Sequence, residues 1–409
     1  MTVDTIVVAE HMWDGISPEV RGHTEVLISD GRIVACEGRA DRPAGARIVE
    51  LGEATLLPGL IDCHVHCVSG MTSSARSALE SLPVLRTLLD NGFTTVRDLG
   101  CYTPEPVTLE LRRAVEAGEI RGPRMLVAPR LISGRGGHGD QTSEVAACAC
   151  EIGALADGTD EIVRAVREQV RQGADWIKFA GSGGFSTSVD DPATAGYRQI
   201  EMDALVEAAR DFGLPTACHA LSDTGVRRAA MAGVSTIEHA TLADAGTLRL
   251  LAGRRIPVVP TQYPITVFTD RLDDESFWAD KPGNVREQVR RHADALRAGL
   301  GRIARSNVEI AFGSDAGTFD HADNWREFPT LVRSGLSPSR ALQAATTVAA
   351  RVLRRPDLGR IEPGVPADII AVPESPLRDI DALGHVEFVM QAGIVRRGPG
   401  SDAPRAAGA

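Results

Sequence analysis

Residues 56–67 read LLPGLIDCHVHC, an apolar run that ends by setting two histidines one residue apart between two cysteines. A run of this length and composition predicts a buried strand. Side chains alternate along a strand, so His64 and His66 share one face while Cys63, Val65 and Cys67 share the other. One extended strand therefore cannot wrap thiols and imidazoles together around a single ion. The thiols are assigned to packing against helices. The imidazoles are assigned to the strand end, where neutral ring nitrogens can hold a divalent metal.

From residue 56 to about 350, short apolar runs alternate with amphipathic stretches, the pattern of β/α units with parallel strands. After the first run come TTVRDL (94–99), RMLVAP (124–129), WIKFAG (176–181), PTACHA (215–220), TIEHA (236–240), IPVVPT (256–261) and VEIAFGSDAG (308–317). Eight such runs predict an α/β chain folded as a closed (β/α)8 TIM barrel over 59–356. GTDEIVRAVREQVRQGA and EMDALVEAARDFG read as helices stopped by Gly173 and Gly213, and SPSRALQAATTVAARVL (337–353) as another.

The two ends share a texture that the middle lacks. DTIVVAE, TEVLISDGRIVACEG and ARIVELG near the start, with Asp30-Gly31 as a hairpin turn, match ADIIAVPES and HVEFVMQAGIVRRG near the end. A small β-sandwich domain built from 1–58 plus 357–409 is the expectation. The small, polar tail GPGSDAPRAAGA is expected to be disordered.

A net charge of −11 argues against nucleic acid or an anionic membrane as the main partner, since both select for clustered Lys and Arg. A small-molecule or peptide substrate fits better, and a homo-oligomer is compatible with the composition. The start carries no signal-like n- and h-regions, and no apolar run reaches the roughly 20 residues of a membrane span, which predicts a cytoplasmic protein. Cys36, Cys63, Cys67, Cys101, Cys148, Cys150 and Cys218 show no disulfide framework and read as free thiols.

In a TIM barrel, polar residues at the C-terminal ends of strands carry function. His64 and His66 end the first run, Lys178 lies in the fourth, His219 ends the fifth, His239 ends the sixth and Asp315 follows the eighth. A lone histidine at a strand end is usually a hydrogen-bonded core residue, but all of these falling at strand ends together points to metal ligation. Lys178, between Ile177 and Phe179, alone would be read as snorkelling or paired with an acid. Buried beside histidines it tends to lose its proton, and a neutral amine can take up carbon dioxide as a carbamate that bridges two cations. Asp315 is placed to collect the proton of an attacking water and pass it to a leaving group.

These residues resemble the amidohydrolase superfamily, metal-dependent (β/α)8 hydrolases, over nearly the whole chain. PGLIDCHVH resembles its first-strand metal motif, DWIKFAGSGG its carboxylated-lysine strand, ACHA and TIEHA its later histidine strands, FGSDAG its catalytic aspartate, and GRIEPGVPADIIAV its return to the terminal β domain. The resemblance implies a site of one or two divalent ions, Zn²⁺ foremost. His64, His66 and Asp315 would hold one ion and His219 and His239 the other, with carbamylated Lys178 and a hydroxide between them. SGRGGHGD is similar to a third-strand loop of the imidazolonepropionase-like branch, which includes prolidase-like dipeptidases, and implies that His138 contacts the substrate carbonyl. Dipeptidase-like relatives often carry Tyr or His directly after the fifth-strand His-Ala, whereas this chain has Leu221. The loop 134–153 and the segment 262–284 are expected to shape the pocket.

The function implied is hydrolysis of an amide bond, of the peptide or N-acyl amino acid type, by a metal-bridged hydroxide with Asp315 as proton shuttle. Processing of a modified peptide in secondary metabolism, which would need a wider pocket, and deamination or cyclic-amide opening at a single metal are the alternatives. A non-catalytic relative is the third.

Overall fold

Asp30 and Gly31 both adopt left-handed φ, 47° and 75°. The chain therefore reverses in two residues, and Thr24–Ser29 pairs antiparallel with Arg32–Glu37 as the Asp-Gly pair predicts. These strands join Thr5–Ala9 and Arg47–Glu50 in a four-stranded sheet. A second, five-stranded sheet takes Ile394–Arg397, Phe388–Gln391 and Ile369–Val372 from the end of the chain and Thr55–Pro58 and His11–Met12 from its start. Val7, Val26, Leu56, Ile369 and Phe388 belong to one core shared by both sheets. The similar textures of the two ends thus reflect a common burial.

The computed structural model describes residues 4–68, 73–101, 103, 105–140, 154–185, 191–279, 281 and 283–399. Cys148, Cys150, positions 141–153 of the glycine-rich loop and the tail from 400 lie outside the described residues.

The middle of the chain is α/β with parallel strands. Leu60–Val65, Phe93–Asp98 and Arg124–Val127 form one parallel sheet. Ala154–Leu155, Leu131–Ser133, Ile177–Ala180, Thr216–Ala220, Thr236–His239 and Val258–Val259 form another, in that order. Hydrogen bonds cross both seams between them. The Val127 carbonyl accepts from the amides of Asp175 and Trp176 at 2.9 and 3.2 Å. On the other side Val258 donates to Glu309 at 2.8 Å, and Cys63 donates to Phe312 at 2.9 Å.

Helices cover the sheets as their periodicity requires. Gly158–Gln172 buries Ile162, Val166 and Gln169 and ends at Gly173, whose φ of 95° caps the last turn. Gln199–Asp211 buries Met202, Leu205 and Ala209, with Gly213 at φ 71° just beyond it. No helix among the described residues is long and apolar enough to cross a membrane.

Four features differ from the sequence reading. The eighth run, 308–317, makes bridges at Ile310 with Val258 and at Ala316 with Val65 rather than a continuous strand. Leu131–Ser133 and Ala154–Leu155 are additional strands, too short to register as separate apolar runs. The helix expected over 337–353 is two, Pro338–Ala344 and Thr347–Val352. The carbonyls of Ala344 and Ala345 accept from Phe312 and Ile61 instead of continuing the helical ladder. Cys63 does not face the helices that cover the sheets: the register slips between Asp62 and Val65. Its thiol joins Ile61, Trp176, Ala217, Val259 and Ala311 on the inner faces of the strands, over Ala349 and Ala350. Cys67 packs as expected, in the cluster that contains Leu85 and Leu109.

Candidate metal centre

The slip that turns Cys63 inward lets His64 and His66 both reach the same cavity. Asp62 anchors this irregular end. Its carboxylate accepts from the amides of His64 and Ser314, each at 3.1 Å, and from the Ser314 hydroxyl at 2.6 Å. The first strand is thereby tied to the segment that carries Asp315. Burial pushes the Asp62 carboxyl up to about 7, against the pull of those hydrogen bonds.

Each of the four strand-end imidazoles has one nitrogen committed. His64 Nδ1 lies 2.9 Å from Glu238 Oε2, and His66 Nδ1 lies 2.9 Å from the Gly100 carbonyl. His239 Nδ1 is 2.6 Å from Thr261 Oγ1, and His219 Nε2 is 3.1 Å from the Gly183 carbonyl. A ring nitrogen that donates leaves the opposite nitrogen with its lone pair, the form that ligates a metal. The candidate donors are Nε2 of His64, His66 and His239 and Nδ1 of His219.

Asp315 Oδ1 is 3.4 Å from both His64 Nε2 and His66 Nε2. Donors around a tetrahedral ion with bonds of about 2.0–2.1 Å stand about 3.3 Å apart, so the set fits a divalent metal. Ligand atoms of His64, His239 and Asp315 lie within 4.8 Å of one another. His219 and His239 have ring centroids 4.6 Å apart, and His138 stacks on His219 at 3.9 Å with an interplanar angle of 6°.

Lys178 enters from Ile177–Ala180, two residues before Ala180, which stands opposite His219. Its Nζ is buried and has no hydrogen-bond partner among the described residues. Burial lowers its pKa to about 8, which leaves a neutral fraction near pH 7. An orphaned amine beside four imidazoles is a second sign that the site fits a further group.

Burial also keeps three of the four imidazoles neutral, the form a metal needs. It holds His64 and His219 well below the usual imidazole range and His239 at about 4. Burial would raise the Asp315 carboxyl, but the neighbouring His64, His66 and His239 rings hold it well below the usual carboxylate range. Burial opposes a charge on His66, which Asp315 nevertheless raises.

The backbone is strained where these groups converge. His239, Thr261 and Asp315 have φ of 74°, 44° and 61°. At His239 the Ala240 amide closes a three-residue turn on the Glu238 carbonyl at 3.1 Å, which brings consecutive side chains, Glu238 and His239, to one site.

His64, His66, His138, Lys178, His219, His239 and Asp315 all line one cavity of about 260 Å³. Pro264, Ile265 and Phe268 from the 262–284 segment and Leu221 line it too. The residues that support these ligands are not among those the sequence singles out. Glu238 also pairs with Arg97 at 2.9 Å, and Arg97 donates to the Cys63 carbonyl at 2.6 Å beneath the site. Their signal in the sequence is charge inside apolar strands: Glu238 in TIEHA, and Arg97 beside Asp98 in TTVRDL.

The model of the Amidohydrolase family matches residues 55–398. The ochratoxinase of Aspergillus niger is 29% identical over 436 residues, covering 97% of this chain and 87% of that protein. The imidazolonepropionase of Ectopseudomonas mendocina is 26% identical over 91% of this chain and 90% of its own length. A crystal structure of a Xaa-Pro dipeptidase with methionine bound in its active site superposes with a TM-score of 0.90 at 31% identity, over 97% of this chain and 100% of that one. The chain belongs to the amidohydrolase family and is a hydrolase acting on carbon–nitrogen bonds.

Proposed function

We propose that the protein is a metal-dependent hydrolase that cleaves an amide bond of the peptide or N-acyl amino acid type. The observation that carries this reading is the set of four imidazoles, each with one nitrogen committed, around Asp315 and the unpartnered amine of Lys178. The Xaa-Pro dipeptidase and ochratoxinase likenesses support the amide class.

His64, His66 and Asp315 would hold one divalent ion and His219 and His239 a second, with Lys178 as a carbamate between them. Nitrogen-rich ligation favours zinc. Bound there, such ions would supply Lewis-acid activation of water and of the scissile carbonyl near neutral pH. Asp315, kept ionised by His64 and His66, accepts the proton of the attacking water and returns it to the departing amine. His138, stacked on His219, donates to the carbonyl oxygen as charge develops on it.

The two parallel sheets, joined by hydrogen bonds at both seams, are read as a closed (β/α)8 barrel over 59–356, with 1–58 and 357–409 as a β-sandwich domain. We assign the protein to the cytoplasm, on the free thiols of Cys36, Cys63, Cys67, Cys101 and Cys218. A cavity of about 260 Å³ favours a small substrate over a modified polypeptide. The buried orphan amine favours two metals over the single ion of a deaminase.

The test is metal analysis with turnover. About two ions per chain, and cleavage of amide substrates that chelation abolishes and zinc restores, are expected. A metal-replete protein inert to a broad amide panel would overturn the reading.

A further inference from the structure

We infer that, within that substrate class, the pocket selects molecules whose group beyond the scissile bond is apolar and carries no free carboxylate, such as C-terminally amidated or otherwise neutral amides. The inference rests on the hydrolase reading above and concerns the apolar wall of the cavity, made by Leu131, Phe185, Leu221, Pro264, Ile265 and Phe268.

Among the described residues lining the cavity, Lys178 is the sole lysine or arginine, and the metal reading uses it. Stretches outside the described residues contain no lysine or arginine except Arg405 in the tail. The threonines of the lining are uncharged: Thr261 Oγ1 lies 2.6 Å from the His239 ring, and the Thr318 hydroxyl donates to the Asp315 carbonyl at 2.7 Å. Leu221, 2% exposed, places an aliphatic group immediately after the His219-Ala220 pair.

A carboxylate seated there would lose its water and, among the described residues, find no cation in exchange beyond the Lys178 that the metal reading uses, a loss of affinity on the order of 10- to 100-fold. Phenyl rings of Phe185 and Phe268 instead offer apolar contact to a neutral aliphatic or aromatic group.

The experiment pairs substrates. N-acyl amino acids with apolar side chains are compared with the same compounds as primary C-terminal amides, using the metal-replete full chain, by release of the free amine and by calorimetric binding. Preference for the neutral member by about 10-fold or more in kcat/KM is expected. Equal or better cleavage of the free acids overturns the inference and leaves the hydrolase reading intact. Neutral members that bind selectively but are not cleaved overturn the hydrolase reading and uphold the wall assignment. Failure of both members to bind or react overturns both. Phe268→Arg, at a partly exposed position, should shift preference toward the acids; an unchanged ratio in a folded variant removes this wall from substrate selection.

Discussion

Glu238 holds His64 by its Nδ1 at 2.9 Å, through one carboxylate oxygen, while its other oxygen takes the Arg97 guanidinium at 2.9 Å. All three side chains are buried. The orientation of a candidate metal ligand thus depends on an ion pair that never meets solvent. Glu238→Gln leaves Arg97 without its countercharge and weakens the acceptor for His64. We expect metal affinity to fall about 10- to 100-fold, measured by chelator competition, with near-wild-type affinity in a folded variant counting against the link.

The ligands and the proton carrier should separate on mutation. His66→Ala is expected to lose metal and turnover together while the far-UV circular dichroism is kept, because His66 lies beyond the end of its strand. Asp315→Asn should retain part of the metal yet lose most turnover, by on the order of 10²-fold or more. Wild-type rates in Asp315→Asn would remove it from the proton path.

Gly184 lies against the stacked pair His138 and His219. A Cβ at 184 would come within 2.5 Å of His138 Nδ1 and 3.2 Å of His219 Nε2. Gly184→Ala must displace the His138 ring, and turnover should fall by about 10²-fold with metal content largely kept. Unchanged kcat would argue that His138 does not touch the substrate.

A pH-dependent contribution to stability comes from Asp14, which is not among the residues lining the cavity. Burial would raise its carboxyl, but the amides of Ser17 and Ile16, the Ser17 hydroxyl and Arg21 outweigh that and lower it. A carboxyl depressed on folding stabilises fully above its unfolded value near 3.9 and loses that effect as pH falls through the folded value. Asp14→Asn should therefore cost on the order of 1 kcal/mol near pH 7. The gap to wild type should narrow below about pH 4, as read by urea denaturation at both pH values; a gap independent of pH would contradict it.

Periodicity and residue type carried most of the architecture. The eight runs marked where parallel segments lie, and Asp30-Gly31 and Gly173 marked turns and stops, because these depend on local φ preference and on which face is apolar. The candidate ligands were legible for a similar reason: imidazoles at the ends of apolar strands are chemically conspicuous. Tertiary structure alone decided how they are held. Strict alternation assigned Cys63 to the helices, but a register slip sends it inward, and the left-handed turn at His239 brings Glu238 and His239 to one site. Those departures arise where the backbone trades ladder geometry for contacts from distant segments: Ser314 on Asp62, Arg97 on Glu238, Thr261 on His239. Separations of up to 252 residues lie outside any local window, so that set of partners existed only once the chain had closed on itself.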